Sequence, residues 1–166
     1  MEYFTRTASQ LGAAGKPLRW TTPDGLQVVQ SYRHKDVQRF QSANLGRLRI
    51  MTVSDRIDAR KAGSGAAPQV VHSLDAAMLR TVSVRLSEGG IDEMAMIHDS
   101  YGVAAGHVDQ LNQIIRECAV DIFSGNWLLD SFHAGQLEED TSLAPPPDQG
   151  ALDVASELPR ADYFFS

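Results

Sequence analysis

An α+β fold, with helices packed on a small antiparallel sheet, is what the sequence predicts, and three observations predict it. Apolar residues recur at intervals of three and four in several separate segments, the mark of amphipathic helices. Around Pro23-Asp24-Gly25 and around His98-Asp99-Ser100, polar turn residues sit between short apolar runs, as they do in β-hairpins. The length of 166 residues, 43% of them hydrophobic, suffices for one compact unit with a real core.

Taken in order, residues 2–13 set Tyr3, Thr7 and Leu11 four apart, a helical stripe that ends at Gly12 and Gly15. No capping residue precedes it, and Tyr3 and Phe4 are expected to lack a cover, so the helix reads as one entered partway through a longer polypeptide. Residues 18–22 and 27–32 flank Pro23-Asp24-Gly25, where proline presets φ and glycine accepts a positive φ; this predicts a hairpin. A further strand is expected at 48–53. Ser54 reads as the N-cap of a short helix that Gly63-Ser64-Gly65 closes. Pro68 suits the first turn of a longer helix reaching about Glu88, where Gly89-Gly90 stops it. Val71, Leu74, Met78, Val82 and Leu86 form its apolar row, and His72 and Asp75 share a flanking face.

Two apolar segments, 94–97 and 101–104, enclose His98-Asp99-Ser100 and predict a tight hairpin with its polar residues in the turn. Leu111, Ile114, Ile115, Cys118, Ala119 and Ile122 define a strongly amphipathic helix, and another helix is expected over 127–137. Ala144-Pro145-Pro146-Pro147 is a stiff linker, and the aromatic ending Tyr163-Phe164-Phe165-Ser166 is expected to dock.

Composition excludes several classes. Cys118 is the only cysteine, so neither an intrachain disulfide nor a cysteine-built zinc site can form. No apolar run approaches the roughly 18 residues of a membrane span, and residues 1–20 lack the pattern of a signal peptide; no membrane partner is expected. The net charge of −6 is unevenly distributed. Residues 136–166 hold seven acids against Arg160, which accounts for all of it. Residues 33–61 hold eight bases (Arg33, Lys35, Arg39, Arg47, Arg49, Arg56, Arg60, Lys61) against Asp36, Asp55 and Asp58, a net of +5. That stretch is either a surface for a phosphate backbone or a solvated basic loop.

Asp99 is the main candidate for chemistry. A carboxylate at the tip of a hairpin held in a core is a rigid way to present a ligand to a divalent cation, and two-metal phosphoryl transfer needs acids from different elements. On the residues alone, the motif is weak, and an Asp that satisfies backbone donors in a turn is the commoner case. Asp55 and Asp58, three apart, are expected on one helical face, salt-bridged beside Arg56 and Arg60. His34, His107 and His133 lack ligand spacing, Ser100 lacks a catalytic base, no Walker-type loop exists, and Cys118 falls on a buried stripe.

At these residues the sequence resembles the single-subunit DNA-directed RNA polymerases of bacteriophages and mitochondria. Trp20-Thr21-Thr22-Pro23-Asp24-Gly25 with Val29-Gln30-Ser31-Tyr32 is similar to the family's W-x-T-P-x-G…V-x-Q-x-Y segment. Ile57-Asp58-Ala59-Arg60-Lys61 through Gly65-Ala66-Ala67-Pro68 resembles I-D-x-x-K…G-x-A-P, and Val71-His72-Ser73-Leu74-Asp75-Ala76 resembles the H-S-x-D helix. Ile97-His98-Asp99-Ser100-Tyr101-Gly102 is similar to I-H-D-S-[FY]-G, and the ending resembles the family's aromatic C-terminus.

The resemblance implies the palm-like part of a right-hand polymerase, with residues 1–143 as palm and fingers connection and 144–166 as a linker with a docked tail. It implies Mg²⁺ as cofactor, with Asp99 as the catalytic metal ligand, and His98, His72 and Asp75 in the vicinity of nucleic acid and nucleotide. The partners implied are a DNA template, the RNA product, nucleoside triphosphates and the N-terminal remainder of the polymerase. The setting implied is inside the cell, in a phage-infected host or a mitochondrion. Where the family often has a second histidine, six residues beyond His72, this chain has Met78. The family's other catalytic aspartate, its triphosphate-binding lysine and arginine and its sugar-discriminating tyrosine all match nothing here, so the chain is expected to be silent alone. Two further readings stand beside this one. The chain could be a non-catalytic palm-like protein that binds nucleic acid or a partner. It could also be a DNA polymerase fragment of related architecture, although that motif continues His-Asp with an acid where Ser100 stands here.

Overall fold

A computed structural model describes residues 1–140 and 142–164, apart from the side chain of Leu129. The chain is an α+β mixture, as expected: α1 (Glu2–Ala13), β1 (Leu18–Thr21), β2 (Gln27–Gln30), β3 (Arg33–Ser42), β4 (Gly46–Ile57), α2 (Ala59–Glu88), β5 (Met94–Ile97), β6 (Ser100–Val103), α3 (Val108–Phe123), α4 (Ala134–Leu137) and α5 (Val154–Glu157). The strands form three separate two-stranded sheets, β1–β2, β3–β4 and β5–β6, in place of one small sheet. Each pair is joined by a connection far too short for a parallel crossover. Among the described residues, no helix is long and apolar enough to cross a membrane.

The chain divides into two compact units rather than one. The first comprises Met1–Arg19, Val29–Ala67 and Gln136–Ala144. The second comprises Trp20–Val28, Pro68–Gly135 and the described residues from Pro145 onward.

In the first unit α1 buries Tyr3, Thr7, Ala8, Leu11 and Gly12. Tyr3 is only 6% exposed, so the expectation that it lacks a cover does not hold; burial also raises its phenol above the ordinary pKa. Glycine allows the close packing here. A Cβ on Gly12 would meet the Ala59 Cα at 2.9 Å, one on Gly63 would run into Ser9, and one on Gly65 would meet the Tyr32 ring at 2.7 Å. Gly63-Ser64-Gly65 therefore lie inside α2 instead of ending a helix. Their cost in helix propensity, about 1 kcal/mol for each glycine, is set against contacts that no larger residue could make.

Residues 54–57 continue β4, so Ser54 caps nothing. The N-cap role falls to Asp58, whose Oδ1 accepts the Lys61 backbone N–H at 3.1 Å; the Asp58 N–H in turn donates to the Tyr32 carbonyl at 2.8 Å. Asp55 pairs with Arg33 at 3.4 Å from the strand, and the helical face expected for Asp55 and Asp58 together does not exist. Only the 48–53 part of the β3–β4 ribbon is legible beforehand, because β3 is polar at most positions and exposed on both faces.

The second unit is built on α2 and α3. Met78, Val82, Leu86, Ile91, Leu111, Ile115, Cys118, Ala119 and Ile122 form its buried cluster, close to the rows predicted. The start of the α2 row differs: Val70 is buried, whereas Val71 is 40% exposed and Leu74 is half-buried. At the end of α2, Gly90 takes φ 80°, its N–H donates to the Ser87 carbonyl and the Ile91 N–H reaches the Leu86 carbonyl, both at 2.9 Å. These are the bonds of a Schellman stop, with its usual apolar pair in Leu86 and Ile91.

The helix expected over 127–137 is wound as a π-helix over Leu128–His133 before α4 begins. Fully buried Phe132 packs there against Trp20 and Trp127, with ring centroids 6.2 and 5.6 Å away. Near the end, Arg116 Nη1 donates to the carbonyls of Leu158 (3.0 Å) and Ala161 (2.7 Å), and its guanidinium lies 5.7 Å from the Phe164 ring centre. Tyr163 is 93% exposed. Phe165 and Ser166, the rest of the aromatic ending, lie outside the described residues.

Candidate functional site

Two elements of the second unit converge on one cleft. On α2, His72, Asp75, Ala76, Leu79 and Arg80 follow the spacing 0, 3, 4, 7, 8 and so share a face, away from buried Ala77, Met78 and Val82. The other wall is the tip of β5–β6. These strands pair antiparallel with Met94 opposite Val103, Met96 opposite Tyr101 and Ile97 opposite Ser100, leaving His98 and Asp99 as a two-residue turn. Met94, Met96, Tyr101 and Val103 pack onto the α2–α3 cluster, while Ile97 is 69% exposed. Only one face of the hairpin is anchored, which is the period-2 alternation of a half-buried pair.

His98 has φ 55°, the only positive φ among the described non-glycine residues. Such a backbone costs on the order of 1 kcal/mol and is concentrated at functional sites. Together the face and the tip line an open cleft of about 620 Å³ formed by His72, Asp75, Ala76, Leu79, Arg80, His98 and Asp99. The four side chains singled out from the sequence, His72, Asp75, His98 and Asp99, are thus brought to one place, and all four are exposed.

The electrostatics are mixed. Burial raises the Tyr101 phenol above its ordinary pKa, and the charges of Cys118, Asp75 and Asp99 push the same way, so both cleft carboxylates lie within electrostatic reach of one ring. Arg80 is gripped from outside the α2 face. Its Nε donates to Asp24 Oδ2 at 2.5 Å and its Nη2 to Asp24 Oδ1 at 3.0 Å. The Arg80 hydrogen bond is the main cause that holds the Asp24 carboxyl below the usual carboxylate range, and the same bond raises the guanidinium.

Among the described residues, no group of three or more His, Cys, Asp or Glu side chains could hold a metal. Two carboxylates from different elements are nonetheless the kind of donor set that Mg²⁺ takes from protein, because it draws its other ligands from phosphate oxygens and water.

Sequence reasoning missed Arg80 and Asp24. Arg80 was within reach, since it extends the row from His72 by two turns of helix; its contact with Asp24, 56 residues away, leaves no local signal.

The basic stretch occupies the first unit. Residues 33–57 of it form the β3–β4 ribbon, and Arg60 and Lys61 lie in the first turn of α2. Arg39 pairs directly with Arg49 and Gln41 with Arg47, so three arginines share one face, while Phe40 opposite Leu48 and Gln38 opposite Ile50 lie on the other. Like charges directly opposite destabilise a pair, so Arg39 and Arg49 are not there for the ribbon's own stability.

A family model of DNA-dependent RNA polymerase matches residues 3–139. DNA-directed RNA polymerase 1A of Nicotiana tabacum is 35% identical over 153 residues, which cover 90% of this chain and 96% of that protein. The mitochondrial DNA-directed RNA polymerase 1 of Nicotiana sylvestris is 32% identical over 169 residues, covering 100% of this chain and 16% of that protein. The chloroplastic DNA-directed RNA polymerase 3 of Nicotiana sylvestris is also 32% identical, over 167 residues, 100% of this chain and 17% of that protein. The chain therefore spans about a sixth of the length of these two organellar relatives.

Proposed function

The chain belongs to the single-subunit, phage- and mitochondrial-type family of DNA-dependent RNA polymerases, and from that membership we propose that it takes part in DNA-templated RNA synthesis, as a palm-like C-terminal portion that supplies one of the two catalytic aspartates. The observation that carries the proposal is the position of Asp99: it stands at a two-residue turn anchored on a core and lines the cleft with Asp75, His72 and His98.

In this reading Asp99 is the carboxylate that holds Mg²⁺, with Asp75 close by. Bound magnesium would supply the positive charge that offsets charge developing on the phosphates during nucleotidyl transfer. The chain's own residues do the rest of its share. The Asp99 turn fixes the direction in which the carboxylate points, because its strands are held by Met94, Met96, Tyr101 and Val103. His72 and His98 border the space for the growing RNA end, and the arginine face of β3–β4 meets the nucleic-acid backbone. The DNA template, the RNA product and nucleoside triphosphates are its partners, together with a polypeptide that brings the second aspartate and the residues that bind the triphosphate. By itself the chain is silent, because one aspartate leaves the cation pair without its second anchor. The names of the relatives, mitochondrial and chloroplastic, support an organelle as its place of work in a eukaryotic source, and a phage-infected cell is the other setting.

The test mixes the chain with a polypeptide carrying the remaining polymerase residues and measures ribonucleotide incorporation on a DNA template. Incorporation is expected only in the mixture, and Asp99→Asn is expected to lower it by at least about a hundredfold, the scale of losing several kcal/mol of charge stabilisation, with an unchanged thermal melt. Undiminished synthesis by Asp99→Asn would remove the assignment, and a preference for deoxynucleotides would favour a DNA polymerase.

A further inference from the structure

The Asp99 cleft holds acids on both walls, yet the ligand expected there is a polyanion. Asp75 and Asp99 repel phosphate unless a cation intervenes, and Arg80 is the only Lys or Arg among the described residues lining the cleft. Its guanidinium does not move freely. Asp24, from the turn between β1 and β2, takes its Nε–H at 2.5 Å and one Nη2–H at 3.0 Å. The Asp24 carboxylate is itself fixed: the Thr22 hydroxyl donates to its Oδ1 at 2.5 Å, and Gly25, at φ 88°, shapes the turn.

A guanidinium has five N–H donors in a rigid fork, and this pairing uses two. The other three, both on Nη1 and one on Nη2, have no acceptor among the described residues, and the Arg80 side chain keeps 37% of its exposure. Such an edge is preorganised: a flexible side chain is held in one orientation before any ligand arrives, so little rotamer entropy remains to be lost.

We propose that Arg80 contacts a phosphate group bound in the Asp99 cleft, and that Asp24 is its positioning residue. The inference rests on the nucleic-acid reading above and goes beyond it by naming the group that offsets the acids of the cleft. The phosphate belongs either to the backbone of a strand or to a free nucleoside triphosphate. A structural clamp, tying the β1–β2 turn to α2 and nothing more, is the competing account, and it makes different predictions.

The experiment uses the full chain in magnesium buffer and measures binding of a fluorescent RNA·DNA duplex in one arm and of ATP in the other, with thermal melts alongside. Arg80→Ala is expected to weaken binding about tenfold in the arm that carries the phosphate, the usual scale for one charge-assisted hydrogen bond. Arg80→Lys keeps the charge without the fork and is expected to recover only part of that loss; Asp24→Asn is expected to weaken binding about threefold. The paired exchange Asp24→Arg with Arg80→Asp rebuilds a salt bridge in reverse. It is expected to restore the melt while binding stays at least as weak as in Arg80→Ala, since a carboxylate then faces the phosphate.

If the paired exchange binds like wild type, the clamp account holds and the proposal is overturned. If wild type binds and Arg80→Ala binds equally well, the Arg80 assignment falls while the nucleic-acid reading stands. A wild-type chain that binds neither duplex nor ATP, both alone and when mixed with a polypeptide carrying the remaining polymerase residues, would overturn that reading and the Arg80 assignment together.

Discussion

Two hairpins of this chain differ in almost every respect that matters physically. The β3–β4 ribbon has strands of ten and twelve residues, joined through residues 43–45 with Gly46 at φ 68°, and nearly every side chain along it is exposed. The β5–β6 hairpin has four residues in each strand and a two-residue turn, and it lays one face on a buried cluster. An unsupported two-stranded hairpin is marginal in water, so β3–β4 draws on length and cross-strand pairs, whereas the shorter β5–β6 draws on burial. The lesson is that rigidity at a tip comes from the core beneath it. The carboxylate at the tip of β5–β6 is held by the cluster beneath its strands, whereas the arginines of β3–β4 stand on strands exposed along nearly their whole length.

That contrast can be broken most forcefully through the core. Leu86, fully buried beneath β5–β6, is expected to cost about 2–5 kcal/mol on truncation to Ala, whereas Phe40→Ala, at a site 47% exposed on the ribbon, should stay below about 1 kcal/mol. Denaturant unfolding of the two variants would measure both, and equal losses would mean that the ribbon has a core of its own.

A smaller effect should separate the hairpins by function. Replacing Arg39 and Arg49 together by Gln is expected to lower affinity for duplex nucleic acid about tenfold and to flatten its dependence on log salt by as much as about 2, since each lost phosphate contact removes roughly 0.9 from the slope. The melt should hold or rise slightly, because a like-charged pair directly across the ribbon is gone. An unchanged salt slope would argue against the arginine face as a backbone contact.

The smallest expected effect lies at the cleft rim. The Asp24 carboxyl is held below its ordinary pKa, first by its hydrogen bond to Arg80, so the pair stabilises the fold above about pH 4, where an unfolded Asp is ionised. That contribution fades as pH falls through the lower, folded-state value. With Arg80 37% exposed, solvent screens the pair, and about 0.5–1 kcal/mol is expected. Melts of wild type and Asp24→Asn should differ near pH 7 and converge in acid; a constant difference would mean that the bond does not depend on the charge of Asp24.

Where local chemistry decided the structure, the sequence was legible. The α3 stripe, the Gly89-Gly90 stop of α2, the turn at Gly25 and the tip at His98-Asp99 all follow from spacing or from a residue's own backbone preference. The helical row from His72 and the hairpin tip could be placed separately on the same grounds. Their convergence on one cleft could not, because it depends on how α2, α3 and β5–β6 pack.

What the sequence by itself determined was the helices α1 and α3, the hairpins β1–β2 and β5–β6, the two walls of the candidate site and, through its motifs, the family. Tertiary structure alone decided that Gly63 and Gly65 continue a helix, since the cost of glycine there is outweighed by close approach to Ser9 and Tyr32. It alone decided that Asp24 grips Arg80, a contact between residues 56 apart that no local preference encodes. Periodicity reports what a segment does with its own neighbours. The long-range contact, which sets both helix length and side-chain direction here, exists only once the chain has folded.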